Sequence, residues 1–202
     1  MKRIVIIDDM FRDIDLINSH TEKVYEVTDN YEVVEKEMEV IEQTPFYSHA
    51  DICAKIIKKY CGNVKFINIV IKESFQNGNV KKLIKAIEYS GLLHADVVHM
   101  SVGTTHHYHV YRMHKAIKKL SRQTKIVAAH ANNGKKTFPA DFVEVAGCKS
   151  SPNTQIQNLK KNNYALSGVH LIRVKDAKLI YTTASNSFAA AYYTGLYCSS
   201  RI

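Results

Sequence analysis

Apolar positions along the chain recur with two alternating periods. Short runs of β-branched residues punctuate stretches in which hydrophobes return every three or four positions. Residues 3–8, RIVIID, predict a buried strand that ends on the adjacent carboxylates Asp8 and Asp9. Residues 23–35 alternate with period two about Asp29 and Asn30, the pattern of a hairpin. The stretch from His49 to Tyr60 puts Ile52, Ile56, Ile57 and Tyr60 on one helical face, and residues 64–71 form a buried strand. Asn79 caps a helix carrying Val80, Leu83, Ile84 and Ile87, which ends near Gly91. A strand is expected at residues 96–100, a helix presenting Val110, Met113, Ile117 and Leu120, and a buried strand at residues 125–131. Residues 142–147, 168–174 and 178–182 read as short strands, with a loop rich in Ser, Asn and Gln over 149–163. A last helix, rich in small residues, begins near Ser187. Repeated β-α-β units predict a single α/β domain over 1–202. Its expected form is a three-layer, doubly wound, mostly parallel sheet with helices on both faces.

Composition narrows the class further. The 202 residues are 46% hydrophobic, which suits one sizeable core. No stretch reaches the roughly 18 uninterrupted apolar residues of a membrane span. The Met-Lys-Arg start leads into a strand, not the apolar core of a secretory signal, so a cytoplasmic location is expected. Cys53, Cys61, Cys148 and Cys198 make no C-x-x-C pair and read as buried reduced thiols. The formal charge is +9, unevenly spread. From residue 20 to 45, eight acids (Glu22, Glu26, Asp29, Glu32, Glu35, Glu37, Glu39, Glu42) face Lys23 and Lys36, a net −6 that leaves +15 elsewhere. Lys55, Lys58, Lys59, Lys81, Lys82, Lys85, Lys115, Lys118 and Lys119 fall on the polar faces of expected helices. By charge alone an acidic peptide is as well supported a partner as a nucleic acid. No arginine-rich arm or ribonucleoprotein motif is present, so a peptide is expected and a nucleic acid is not.

Two chemistries compete for the acid pair. A receiver-like magnesium site needs a further aspartate ending the third strand. The candidate by distance, Asp51, lies in HADICAKII, whose spacing is helical. A hydrolase triad needs four segments, and all four occur in order: IVIIDD, SHADICAKII, IVAAHANNG and TASNSFAAAYYTGL. A serine hydroxyl is a weak nucleophile until an imidazole takes its proton. The imidazole in turn needs a buried carboxylate to fix its tautomer. The oxyanion of the tetrahedral intermediate needs donors, such as an asparagine amide and a backbone N–H at a helix start.

These segments resemble the subtilisin-like serine peptidases (subtilases), whose chain order is Asp, His, Ser. IVIID is similar to the family's aspartate strand and HADICAKII to its histidine helix, usually H-G-T-H-V-A-G. ADVVHMSVG resembles A-D-V-I-N-M-S-L-G, and IVAAHANNG resembles V-V-A-A-A-G-N-x-G. FPADFVEVAG follows in its expected place, and SNSFAAAYYTGL resembles G-T-S-M-A-T-P-H-V-A-G. The resemblance covers almost the whole chain. It implies Asp8 as orienting acid, His49 as general base, Ser187 as nucleophile and Asn132 as oxyanion donor. It implies that Ser101, Val102 and Gly103, with Ala129, His130 and Ala131, flank an extended substrate added as a strand. Asp9, Ser185 and Asn133 are the rivals for the acid, the nucleophile and the oxyanion amide.

Glycines of the pattern are replaced by Ala50, Ala131 and Ser185, its threonine by Asn186 and its proline by Ala191. Asn186 is expected to retain the ability to donate to an oxyanion. A minimal form without pro-segment or calcium loops is expected, needing no cofactor and no metal. His106, His107, His109 and His114 read as a histidine-lined loop beside the cleft in preference to a zinc site. The Tyr192–Tyr193 pair reads as helix packing. The expected activity is that of a serine endopeptidase processing a defined peptide, such as the acidic leader of a ribosomally made peptide in a bacterium. The alternative is a pseudoprotease that binds peptide without turnover. The sequence leaves open whether the extra charge of Asp9 raises the pKa of the histidine, as a nearby anion should.

Overall fold

A computed structural model describes residues 1–37, 47–71, 79–153, 155–174 and 178–202. The last part of the acidic segment, with Glu39 and Glu42, lies outside these residues. The elements in order are β1 (Lys2–Asp8), α1 (Ile14–His20), β2 (Thr21–Val27), β3 (Val33–Lys36), α2 (His49–Tyr60), β4 (Val64–Val70), α3 (Val80–Ser90) and β5 (Val97–Met100). There follow α4 (Val110–Leu120), β6 (Lys125–Ala129), β7 (Ala146–Ser151), β8 (Gln157–Asn158), β9 (Asn163–Ser167), β10 (Leu171–Arg173), β11 (Leu179–Tyr181) and α5 (Asn186–Cys198).

Nine strands form one sheet in the order β3-β2-β4-β1-β5-β6-β7-β9-β8. Pairing is parallel from β2 through to β9, and only the outer strands β3 and β8 run antiparallel. β1 shows why the sheet is buried on both faces. Ile4 and Ile6 join a cluster with α1, α2 and α5, while Val5 and Ile7 join a second cluster with α3 and α4. Strand side chains alternate between faces, so a continuous apolar run serves two helical layers at once. The expected three-layer, doubly wound α/β architecture is present.

Small residues on α5 let it lie deep in the molecule. Ala189, Ala190 and Ala191 are fully buried, and the helix crosses β5, β6 and β7 while packing on α2. A Cβ on Gly195 would stand 2.9 Å from Ile57 O and 2.9 Å from Tyr60 Cβ, so only glycine permits that approach.

Several expectations need correction. The strand expected at 142–147 is a turn up to Val145, and the strand is Ala146–Ser151. It and β9 occupy part of the stretch expected as loop, with residue 154 outside the described residues. Helix α1, capped by Asp13, was not foreseen. Lys82 is 2% exposed and pairs with Asp29 at 2.7 Å instead of lying on a solvated face. All four cysteines are free and buried, as expected. Among the described residues no helix is long and apolar enough to cross a membrane.

Candidate active site

The carboxyl ends of β1, β5 and β6 lie side by side at the place where the chain changes direction across the sheet. Loops at such a reversal leave a crevice outside the strand ends. Asp8 is the last residue of β1 and is fully buried. Its Oδ2 lies 2.6 Å from His49 Nδ1.

Asp9 fixes that arrangement by other means. Its Oδ2 accepts from His49 N at 3.1 Å and its Oδ1 from Ala50 N at 2.7 Å. It therefore closes the positive end of α2 and ties the end of β1 to the helix start. Ser48 and Asp51 complete a capping box, with Asp51 N to Ser48 Oγ at 3.0 Å and Ser48 N to Asp51 Oδ2 at 2.8 Å. The Asp51 carboxylate also accepts from Arg12 N and Asp13 N. It is thus a buried anchor with no metal-facing role. The strand-end pair divides: Asp8 meets the imidazole and Asp9 positions the helix that carries it.

Burial opposes a proton on His49, but the Cys53 sulfur and the bond to Asp8 outweigh it and raise the pKa above 6.5. The groups that raise it are Cys53 and Asp8, while Asp9 accepts from backbone N–H groups of α2. Cys53 lies one helical turn from His49, with Sγ 4.0 Å from Nδ1 and 3.4 Å from Ser101 Oγ. Ser101 Oγ is 2.9 Å from His99 Nε2, and His99 Nδ1 is 3.1 Å from Thr194 Oγ1. Complete burial pushes the pKa of His99 down to about 4, so this residue is neutral at ordinary pH. Cys53 and His99 were not among the expected site residues. The four-residue spacing of His49 and Cys53 was the available signal, since it places both on one helix face.

Asp8, His49 and Cys53 form the one cluster of three metal-capable groups among the described residues, with ligand atoms within 4.8 Å of one another. A soft cation there would displace the Nδ1–H bond to Asp8, so the cluster serves a metal or base chemistry, not both.

Ser187 sits in the first turn of α5, 8% exposed, and the next residue, Phe188, stacks on the His49 ring at 5.5 Å. No hydrogen bond joins Ser187 Oγ to His49 Nε2 among the described residues. The Ser187 N–H donates to Ser185 Oγ at 3.2 Å, which makes Ser185 the helix cap. Asn132 Oδ1 accepts from Asn186 N at 3.1 Å, and its Nδ2 donates to no protein acceptor among the described residues. Asn133 is instead spent on a local turn, its Oδ1 accepting from Lys135 N. The expectation that Asn186 donates toward an oxyanion needs correction. Its Nδ2 donates to His130 O and Ala131 O, each at 3.1 Å, and its Oδ1 accepts from Ser150 N at 2.7 Å.

A groove of about 390 Å³ runs through the site. Its lining contains Ser101, Val102, Gly103, Ala129, His130, Ala131, Asn132 and Ser187, together with Thr105 and Thr137. All six expected substrate-flanking residues therefore share one groove with the candidate nucleophile and amide. Thr137 Oγ1 accepts from Ala131 N at 2.9 Å, and a Cβ on Gly103 would stand 2.8 Å from Phe138 O, so the walls are held close. Buried His130 packs behind one wall, with Nδ1 3.6 Å from Asp141 Oδ2 and burial lowering its pKa. His107 packs edge-on to Phe138, and His114 meets Glu144 at 3.1 Å and stacks on Phe142.

The fold is that of the subtilisin-like serine proteases. Compared by structure, the protease domain of PatA superposes with a TM-score of 0.73 at 16% identity, covering 98% of this chain and 78% of that one. The epidermin leader peptide processing serine protease of Staphylococcus aureus gives 0.70 at 16% identity, covering 98% of this chain and 65% of its own. The prenylagaramide maturation protease PagA gives 0.69 at 15% identity, with 98% and 74% covered. This chain thus spans somewhat less than two thirds of the epidermin-processing protein. Compared by sequence, the chain matches no family model and no curated protein.

Proposed function

We propose that this chain is a serine endopeptidase that processes a defined peptide. The observation that carries the proposal is the pairing of buried Asp8 with half-buried His49 at 2.6 Å, with the His49 ring stacked on Phe188 beside Ser187, which shares a groove with Asn132. In this reading Ser187 Oγ attacks the scissile carbonyl and His49 Nε2 takes its proton. Asp8 accepts from Nδ1–H, holds the tautomer and steadies the imidazolium. The carbonyl electron pair moves onto oxygen, where Asn132 Nδ2 and the Ser187 N–H receive it. The tetrahedral intermediate collapses with loss of the amine, which takes the proton from His49. Water then repeats the sequence on the ester and frees the acid.

The substrate enters as an extended strand between residues 101–103 and residues 129–131. One structural neighbour is a leader peptide processing serine protease and another is a prenylagaramide maturation protease. The basic body of this chain fits an acidic leader, and its buried free thiols fit the cytoplasm.

A second reading, a pseudoprotease that binds peptide without turnover, draws on the Ser187 N–H being taken by Ser185 Oγ and on the missing bond between Ser187 and His49. A fluorophosphonate probe separates the two. Labelling of the wild type that disappears in Ser187→Ala supports the endopeptidase. Labelling that survives the substitution removes Ser187 as nucleophile, and no labelling of the wild type supports the pseudoprotease.

A further inference from the structure

We infer that the outer face of α4 is an exosite for a carboxylate-rich segment of the peptide substrate, a stretch lying beyond the groove at Ser187. The identity of the ligand as substrate rests on the endopeptidase reading, while the surface itself has independent support. No aspartate or glutamate occurs from residue 97 to residue 140, and that stretch carries eight lysines and arginines. It contains most of the groove lining and all of α4.

Met113, Ile117 and Leu120 turn α4 into the core, and Arg112, Lys115, Lys118 and Lys119 stand exposed, with Arg122 just beyond. These cations border an open groove of about 840 Å³ that also presents Tyr111, 86% exposed. The one acid in its lining, Glu88, is already met by Lys85 at 3.7 Å and Arg112 at 3.6 Å. Among the described residues, Lys115, Lys118, Lys119 and Arg122 have no carboxylate within ion-pair distance.

Ordinary solvated faces intersperse both signs of charge. Here Lys115 lies three and four residues from Lys118 and Lys119, and Lys118 lies four from Arg122. Like charges at these spacings repel along a helix. A ligand bearing several carboxylates relieves that repulsion, and Tyr111 offers it a flat contact. A strand that leaves the groove past Thr105 follows the wall whose own chain runs into α4.

The test uses the full chain carrying Ser187→Ala, titrated by fluorescence anisotropy with a fluorescein-labelled decapeptide of alternating Glu and Gly. Adding Lys115→Gln, Lys119→Gln and Arg122→Gln together weakens binding by about tenfold, the loss of three exposed ion pairs. Raising salt weakens the binding of the parent chain, because exposed charges are screened. Lys58→Gln with Lys59→Gln, on α2, leaves binding within about twofold. Unchanged binding in the α4 variant, or an equal loss in the α2 variant, overturns the exosite. Fluorophosphonate labelling of the Ser187-containing chain is read separately. If labelling fails while the α4 result holds, the peptidase reading falls and the acidic-peptide surface stands. If labelling succeeds while the α4 result fails, only the exosite falls.

Discussion

Replacing Asp8 with asparagine isolates the proposed base from the group that orients it. Asp8 is fully buried and its Oδ2 lies 2.6 Å from His49 Nδ1, so Asp8→Asn removes one charge from a dry site while keeping the shape. A hydrogen bond to a charged group contributes about 1.5–3 kcal/mol. At about 1.4 kcal/mol per pKa unit, the loss lowers the His49 pKa by roughly 1–2 units. The sign follows from the chemistry. Only neutral His49 accepts the Ser187 proton, so activity is lost as pH falls through the His49 pKa. In the wild type that limb stands above 6.5, because Cys53 and Asp8 favour the protonated ring. In Asp8→Asn the limb moves to lower pH, while the plateau falls by as much as about 10⁴-fold through the wrong tautomer. The assay is the second-order rate of fluorophosphonate labelling from pH 5 to 10, which needs no identified substrate. A variant limb that stays in place, or a plateau within a few-fold of wild type, refutes the pairing of Asp8 with His49 as a catalytic dyad.

Three further outcomes are expected. Ser185→Gly frees the Ser187 N–H from its cap and raises the labelling rate several-fold, with little change in thermal midpoint because glycine caps helices almost as well as serine; a slower rate removes the competition between cap and oxyanion. Gly195→Ala pushes α5 from α2 and lowers the thermal midpoint by about 2–8 °C, at about 1–2 kcal/mol in a chain of this size; an unchanged midpoint refutes the close approach. Burial keeps His99 neutral down to about pH 4 in the folded chain, whereas an unfolded histidine takes its proton near 6.5. Unfolding therefore takes up a proton between these values, and acidification through that window costs roughly 3 kcal/mol, which His99→Gln removes; equal acid sensitivity of wild type and variant in urea melts counts against it.

The elements that the sequence predicts best are those carrying two agreeing signals. α2 combines an apolar stripe with a capping box, and α3 combines one with Asn79 at its start and Gly91 at its end. β7 carries neither. Its sequence AGCKSS has no apolar alternation, because its inner neighbours are the alanines of α5, and small residues on both sides pack without bulk. The adjoining Phe142 and Val145 look strand-like because both are buried, yet exposed Val143 and Glu144 turned to His114 mark a turn. Lys82 sits on the helix face expected to be wet, yet it is buried and pairs with Asp29, a tertiary contact that helix periodicity does not show. At the site, residue types and order give Asp8, His49, Asn132 and Ser187 as candidates. The resemblance favours Asp8 over Asp9 because Asp8 directly follows the apolar strand, but that Asp9 accepts from two backbone N–H groups of α2 is a tertiary contact that no spacing reveals. The Cys53–Ser101–His99 series joins a helix to a strand across the fold, and its members carry no shared motif.

The positions where this chain departs from the subtilase pattern acquire side-chain or backbone hydrogen bonds of their own. Asn186, standing for threonine, binds the chain after β6 through His130 O and Ala131 O, and β7 through Ser150 N. Its own N–H meets Asn132 Oδ1, so one residue fixes both a groove wall and the candidate oxyanion amide. Ala131, standing for glycine, directs its N–H to Thr137 Oγ1, which donates onward to Lys135 O. Ser185 caps α5. Asn186 and Ser185 thus bond through side chains that threonine and glycine lack, whereas the Ala131 bond runs through its backbone N–H. Electrostatic catalysis depends on donors already held where charge will develop. Bonds that hold Asn132 and the 129–131 wall serve that requirement, whereas the Ser185 bond to the Ser187 N–H opposes it. The altered residues therefore do not act alike: Asn186, and Ala131 through Thr137, stiffen the groove, and under the proposed endopeptidase reading Ser185 is the one whose hydroxyl must yield the Ser187 N–H to an oxyanion.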